Sequence, residues 1–337
     1  MEHIVLPVVY TALQLFLFIG IGVVIKKAGS WSEDFFTSLS RLVVRVVIPV
    51  YLFSRISRTD IGDFSSSWIF FAASALVTVT GFSLGALFFS GKGIGRRERK
   101  AGISFSAFGN SGYLAISITD IIPISFPLLA EAVGSTTPFL YIGAYNLIHS
   151  VCLWSVGNFL IAGTSKRIRG REFFSPPVVG ILSGFLVMSL GIGPLLEDKA
   201  LPLYHLYTVL DKMSGLALPL VLICLGAMIA GLKPGMGRML KAGRFISRIL
   251  VIRFLLFPGL FYLFYFILFK PQEYATAQLW ILFLMTHTPP ALNLSVMAAQ
   301  GGVNKELTSY TFLITYSVYI VLLPLFLLIF FGLPGLF

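Results

Sequence analysis

Ser106-Ala107-Phe108-Gly109-Asn110-Ser111-Gly112-Tyr113 and Thr286-His287-Thr288-Pro289-Pro290-Ala291-Leu292-Asn293 interrupt two otherwise apolar segments, at matching places in the two halves of the chain. Gly, Pro and Asn here free backbone amides and carbonyls that hydrocarbon cannot satisfy. Such a break survives in a membrane only where it is buried in protein or lines a wet cavity. Two of them in corresponding positions are the sequence pointer to a transporter's central binding site.

The surrounding composition is that of a membrane protein. The 337 residues are 57% hydrophobic and 12% charged, with a mean hydropathy of +0.90. A soluble domain carries about 45–50% apolar and about 25% charged residues. Cys152 and Cys224 lie inside apolar runs, without the spacing of a disulfide framework or a metal site. No HExxH or Walker A string occurs and no paired catalytic set is visible, so an enzyme is not expected, nor a cofactor. The net charge of +11 is read as topological, and nucleic acid is not an expected partner.

A spanning helix needs about 20 mostly apolar residues. Ten segments qualify: 5–26, 36–56, 66–90, 101–122, 138–162, 176–193, 203–231, 245–269, 276–300 and 307–331. The first lacks the basic leader of a signal peptide, since Lys26 and Lys27 follow its apolar run. With the odd-numbered connections inside, all but five of the 25 Lys and Arg fall on the inner side, among them Lys92, Arg96–Lys100, Lys166–Arg171 and Lys233. The five outside are Arg55, Arg58, Lys199, Lys212 and Lys270. This bias predicts both termini outside, in an inner or plasma membrane.

Segments two and seven each carry a central proline, Pro49 in Val47-Ile48-Pro49-Val50 and Pro219 in Ala217-Leu218-Pro219-Leu220. Segments four and nine carry the breaks. Five spans is an odd number, so the second group of five must enter from the opposite face. The expected fold is an all-α integral membrane protein of ten transmembrane helices in two inverted five-helix repeats, 1–165 and 166–337.

A rise of 1.5 Å per residue from Lys100 puts Asn110 about 15 Å deep, near the midplane. Asn293, Pro289 and Pro290 reach a similar level from the other half, and Asn146 and His149 are central on segment five. An uncharged amide can hold a carboxylate, and half-helix N-termini favour an anion. The candidate binding set is therefore Asn110, Asn146, Asn293, Ser111, Gly112 and His149, with Gln14 of segment one as site wall or helix glue. Capping the broken ends is a compatible role for Asn110 and Asn293. His149 reads equally as a proton relay or a neutral strut, whereas for His287 the strut is the favoured reading. Asp120 and Asp211 are expected to be solvated helix ends, and Arg45 and Arg253 to snorkel to the inner interface. The polar side of segment ten, with Tyr310, Thr315, Tyr316 and Tyr319, is expected to pack against segment nine.

Pro289-Pro290-Ala291-Leu292-Asn293-Leu294-Ser295-Val296-Met297-Ala298-Ala299-Gln300-Gly301-Gly302 resembles the auxin efflux carrier family of membrane transport proteins. Gly109-Asn110-Ser111-Gly112-Tyr113-Leu114, Leu218-Pro219-Leu220 with Leu225-Gly226-Ala227, and Tyr145-Asn146 with Trp154-Ser155-Val156-Gly157 extend the resemblance. It implies a ten-helix fold shared more distantly with bile-acid/sodium symporters. In that fold, segments one, two, six and seven form a scaffold, the other six form a transport domain, and the broken segments four and nine cross. Auxin-like carboxylates or dicarboxylates such as malate and malonate are the implied cargo. One departure is Ser117, where family members often have proline. The crossover is then expected to rest on Gly109 and Gly112, with Ser117 and Ser295 satisfying freed groups.

These readings converge on a secondary carrier of small organic anions working by alternating access, proton-coupled or uniport. No acidic residue falls at the midplane, which argues against a sodium symporter of the bile-acid type. A channel is expected to show a continuous polar stripe or a charged ring, and a sensor a soluble domain; neither is visible. The expected partners are the anion and the lipid bilayer, with a homodimer left open.

Overall fold

The computed structural model describes residues 2–29, 31–91, 94–162, 174–231, 236–272 and 274–334. Lys92, Lys166, Arg167, Arg169, Arg171 and Lys233 of the predicted inner loops lie outside the described residues. Segment one is α1 (Glu2–Lys27). Segment two runs through α2 (Glu33–Leu42), a π-turn at Val43–Val47 and α3 (Ile48–Ile56). Pro49 explains the wide turn: it has no N–H, and its ring crowds the carbonyl four residues back. The Ile48 amide bonds instead to the Val43 carbonyl, five residues earlier.

Segment three is α4 (Phe64–Phe88), and segment four is two helices, α5 (Arg96–Ala107) and α6 (Tyr113–Ser125). A short α7 (Pro127–Val133) leads to segment five, α8 (Thr137–Cys152) and α9 (Asn158–Ala162), joined by a π-turn. Segment six is α10 (Pro176–Ser189), followed by a short α11 (Gly193–Glu197). Segment seven is α12 (Pro202–Ser214) and α13 (Ala217–Gly231). Pro49 and Pro219 both stand in the first turn of a helix, where a missing N–H leaves no bond unmade. Segment eight is α14 (Met236–Val251), a π-turn at Ile252–Leu256 ahead of Pro258, and α15 (Phe257–Phe264). Segment nine is α16 (Thr276–Thr286) and α17 (Asn293–Gln300), and segment ten is α18 (Lys305–Phe331).

Seven of the described helical runs are long and apolar enough to cross a membrane, and α6, α10 and α16 are shorter apolar helices. The outer surface carries large apolar side chains, among them Leu17, Val24, Leu76, Leu87, Leu186 and Leu206, each more than half exposed. So much exposed apolar surface suits lipid, not water. The chain is an all-helical integral membrane protein.

Lipid gives no hydrophobic push between helices, so contact depends on small residues that let backbones meet. On α1 and α13, Gly22 and Gly226 face each other's helix; a Cβ on Gly226 would lie 1.9 Å from the Ile19 carbonyl oxygen. α10 meets α3 in the same way, with Gly180 against the Pro49 backbone. On α4, a Cβ at Gly81 would lie 2.4 Å from the Ala107 Cα and one at Gly85 2.8 Å from the Ile103 Cα. α5 is thereby held tightly up to its broken end.

Asp120 and Asp211 are not solvated helix ends. Asp120 accepts from Arg55 and from the Tyr51 hydroxyl, each at 3.1 Å, and Asp211 pairs with Arg58 and accepts from Ser54 at 3.0 Å. Arg55 stands in the last turn of α3 and Arg58 two residues beyond it, facing Asp120 of α6 and Asp211 in the last turn of α12. The Arg55–Asp120 pair, with about a quarter of each side chain exposed, is partly shielded from the solvent that weakens surface pairs, whereas Asp211 keeps 43% of its side chain exposed.

The α1–α13 contact predicts a contrast between two glycines. Gly226→Ala should lower the unfolding temperature measurably, since overpacking costs about 1–3 kcal/mol. Gly20→Ala, with nothing within 4 Å of its Cβ, should not. Thermal melts of the two purified variants make the comparison.

Candidate functional site

The two breaks meet and bond to each other. The Asn110 amide donates to the Pro289 carbonyl at 2.8 Å, and the Ala291 amide to the Phe108 carbonyl at 2.9 Å. This is an antiparallel bridge centred on Gly109 and Pro290. Proline supplies a carbonyl and has no N–H that needs an acceptor, and each break satisfies groups that the other frees.

Side chains from two other helices, α8 and α18, hold the bridge. The Asn110 amide nitrogen donates to the Tyr316 hydroxyl at 2.7 Å, and Tyr316 donates onward to the Pro290 carbonyl at 3.0 Å. The Asn110 side-chain oxygen accepts from the Tyr113 amide at 3.2 Å and so caps α6. An amide group has two donors and two lone pairs, which leaves Asn110 one of each. From α8, Asn146 accepts from the Ser111 hydroxyl at 2.9 Å and donates to the Ser111 and Ile142 carbonyls. His149 lies 3.1 Å from the Gly109 carbonyl through Nε2. A carbonyl can only accept, so Nε2 carries the hydrogen, and Nδ1 is a buried lone pair with no partner among the described residues. Ser295 donates to the Leu292 carbonyl at 2.7 Å.

Two expectations need correction here. Ser117 satisfies nothing: α6 runs unbroken past it, no carbonyl is freed there, and its buried hydroxyl has no partner among the described residues. Arg253 does not snorkel. It is 0% exposed and lies beneath the bridge, with Nε 2.9 Å and Nη2 2.5 Å from the Thr288 carbonyl, Nη2 3.1 Å from Thr288 Oγ1 and Nη1 3.4 Å from the Ser106 carbonyl. The breaks offer carbonyls closer than the interface, and those capture the guanidinium. Arg45 is exposed, as expected of a snorkelling side chain.

A cavity of about 90 Å³ opens beside the crossing, lined by Asn110, Ser111, Gly112, Tyr113, Asn146, His149 and Asn293 together with apolar residues of α3, α8 and α10. No Asp, Glu, Lys or Arg lines it. The N-terminal residues of α6 and α17, Tyr113 and Asn293, both line it, and the Tyr113 hydroxyl bonds the Asn293 side chain. Gln14 lies elsewhere, part-buried on α1, with its Oε1 unpartnered among the described residues. His287 is also outside the cavity; it caps α16 through Nδ1 and the Phe283 carbonyl at 2.8 Å, inside a ring of Phe261, Tyr262, Phe283 and Phe326. Arg253, Tyr113 and Tyr316 are the structural additions to the candidate set. Of these, Arg253 had one sequence signal, a proline five residues on that forces the π-turn.

Asn110→Ala should lower stability by about 1–3 kcal/mol, because Tyr316 and the Tyr113 amide both lose a buried partner. Asn293→Ala, at a half-buried position, should be near neutral in the same thermal melt.

Comparison with known proteins agrees with this architecture. The family model described as membrane transport protein matches residues 7–172 and again 168–327. An uncharacterized transporter of Methanothermobacter thermautotrophicus is 24% identical over 216 residues, covering 64% of this chain and 66% of that protein. The alignment thus spans just under two thirds of the relative's own length. Two broken helices paired at a cavity and a family match over nearly the whole chain lead to one conclusion: the protein belongs to the membrane transport protein family, of the auxin efflux carrier type.

Proposed function

We propose that this transporter is a secondary carrier of small organic anions, working by alternating access without a sodium gradient. The observation that carries the reading is the cavity at the crossing. It offers amides, a serine hydroxyl and two half-helix N-termini, and it contains no carboxylate. That chemistry attracts an anion and hydrogen-bonds a carboxylate without burying a countercharge against it. The unpartnered Nδ1 of His149 adds one acceptor for a protonated acid or a hydroxyl. The cavity is small, about 90 Å³, which suits malonate- or malate-sized acids better than an auxin-like one.

The packing supports the ten-span inverted repeat. Segment one lies against seven and segment six against two, which are the same contact once the halves are exchanged. In this reading segments one, two, six and seven form the scaffold, and the six others move the crossover. The cavity runs from the Asn110 level to Ser175 and Pro176, on the side of the basic loops. The Arg55–Asp120 pair joins a scaffold helix to a moving one near the opposite face. Both features fit an inward-facing state with a closed outer latch.

Counterflow decides the function. Liposomes holding the protein and unlabelled malonate or malate should accumulate the labelled acid above equilibrium, and Asn293→Ala should weaken this more than tenfold. Downhill leakage without counterflow would mean a pore. Topology has its own check: a single cysteine near Asp60 should react with an impermeant thiol reagent in intact cells, and one at Arg97 should not. The reverse pattern would overturn the inverted orientation.

A further inference from the structure

The guanidinium of Arg253 has no carboxylate partner among the described residues. The described ion pairs are Arg55–Asp120 and Arg58–Asp211, and neither involves it. Its polar contacts are the Thr288 and Ser106 carbonyls and Thr288 Oγ1, with the Phe257 ring 4.9 Å from its centre. Ser106 lies in the last turn of α5, and Thr288 two residues beyond the end of α16. Each helix C-terminus carries about −0.5 of an elementary charge, so the two together supply about −1. That balances one guanidinium. In carriers built on broken helices, unwound carbonyls and half-helix C-termini are what coordinate a coupling cation. Here the same kind of cage is filled by a side chain, and the fit is tight: a Cβ on Gly109 would lie 2.0 Å from Arg253 Nη2.

We infer that Arg253 is a tethered cation occupying a carbonyl cage at the crossover, so that the protein needs no alkali ion there and would gain a cation site if the side chain were removed. The inference deepens the carrier reading by naming the reason for sodium independence, but the cage itself can be tested by stability alone. A hydrogen-bonding fork with a purely structural role would need guanidinium geometry. A tethered cation needs the charge.

The experiment uses the full-length protein in detergent, melted in NaCl and in choline chloride at equal ionic strength, with methylguanidinium chloride as the probe of a vacated cage. Wild type should melt at the same temperature in both salts. Arg253→Ala should melt lower in choline chloride and regain about 4 °C or more, saturably, with Na⁺ or millimolar methylguanidinium. Arg253→Met, which fills the cage without charge, should be destabilised and not rescued. Arg253→Lys should melt close to wild type and ignore Na⁺. A saturable Na⁺ response of wild type would overturn the inference, as would a folded Arg253→Ala that ignores both cations. If Arg253→Ala does not fold, the lysine variant decides, and instability equal to that of Arg253→Met refutes the proposal. Malonate counterflow in the two salts is run in parallel. Its absence with every acid would defeat the carrier reading while the thermal result still judged the cage.

Discussion

Hydrocarbon cannot hydrogen-bond a peptide group, and that constraint organises this protein around one short antiparallel bridge. Two helices stop in the middle of the fold, at Ala107 and at Thr286, and the chain between each pair of half-helices would be intolerable by itself. The amides of Asn110 and Ala291 find the carbonyls of Pro289 and Phe108, so each break is the other's solvent. Gly81 and Gly85 bring α5 close enough to α4 to fix one side of the bridge, and Asn146, His149 and Tyr316 prop it from α8 and α18. Neither half of the chain carries this arrangement without the other.

The crossing also sorts charge. The C-terminal ends of α5 and α16 converge on Arg253, while the N-terminal ends of α6 and α17 border the cavity. Partial negative charge thus falls on a resident cation, and under the proposed function partial positive charge is left for a visiting anion. One structural device, a helix broken twice over, separates the two. The side chains refine it: Asn110 caps α6 and lines the cavity at once, and keeps one donor and one lone pair beyond its structural bonds.

Much of this was legible from residues. Gly109, Asn110, Pro289 and Pro290 announced both breaks, because clustered at one level they free backbone groups that a lone mid-span Gly or Pro does not. Asn146 and His149 could be placed near them by helical rise alone. Arg253 could not. Counting turns from the end of segment eight puts it within reach of the interface, and only the tertiary meeting of two distant breaks supplies carbonyls that hold it inside. Asp120 and Asp211 escaped for the same reason, since their partners Arg55 and Arg58 lie 65 and 153 residues away in sequence. Ser117 was assigned a task by analogy with a proline that this chain lacks, and an unbroken α6 gives it nothing to do. Local punctuation is written locally; pairing across the fold is not.

The buried guanidinium has an electrical consequence. Under the proposed alternating access it would travel with the crossover, adding one positive charge to the empty protein as it reorients. A monoanion in the cavity would cancel that charge and a dianion would reverse it. A membrane potential acts on charge at about 2.3 kcal/mol per elementary charge per 100 mV. It therefore presses on the return of the empty carrier and leaves the step loaded with a monoanion untouched. Over a full uniport cycle that return step still moves the anion's charge, so the anion's electrochemical gradient, and not its concentration gradient alone, would set which way it goes.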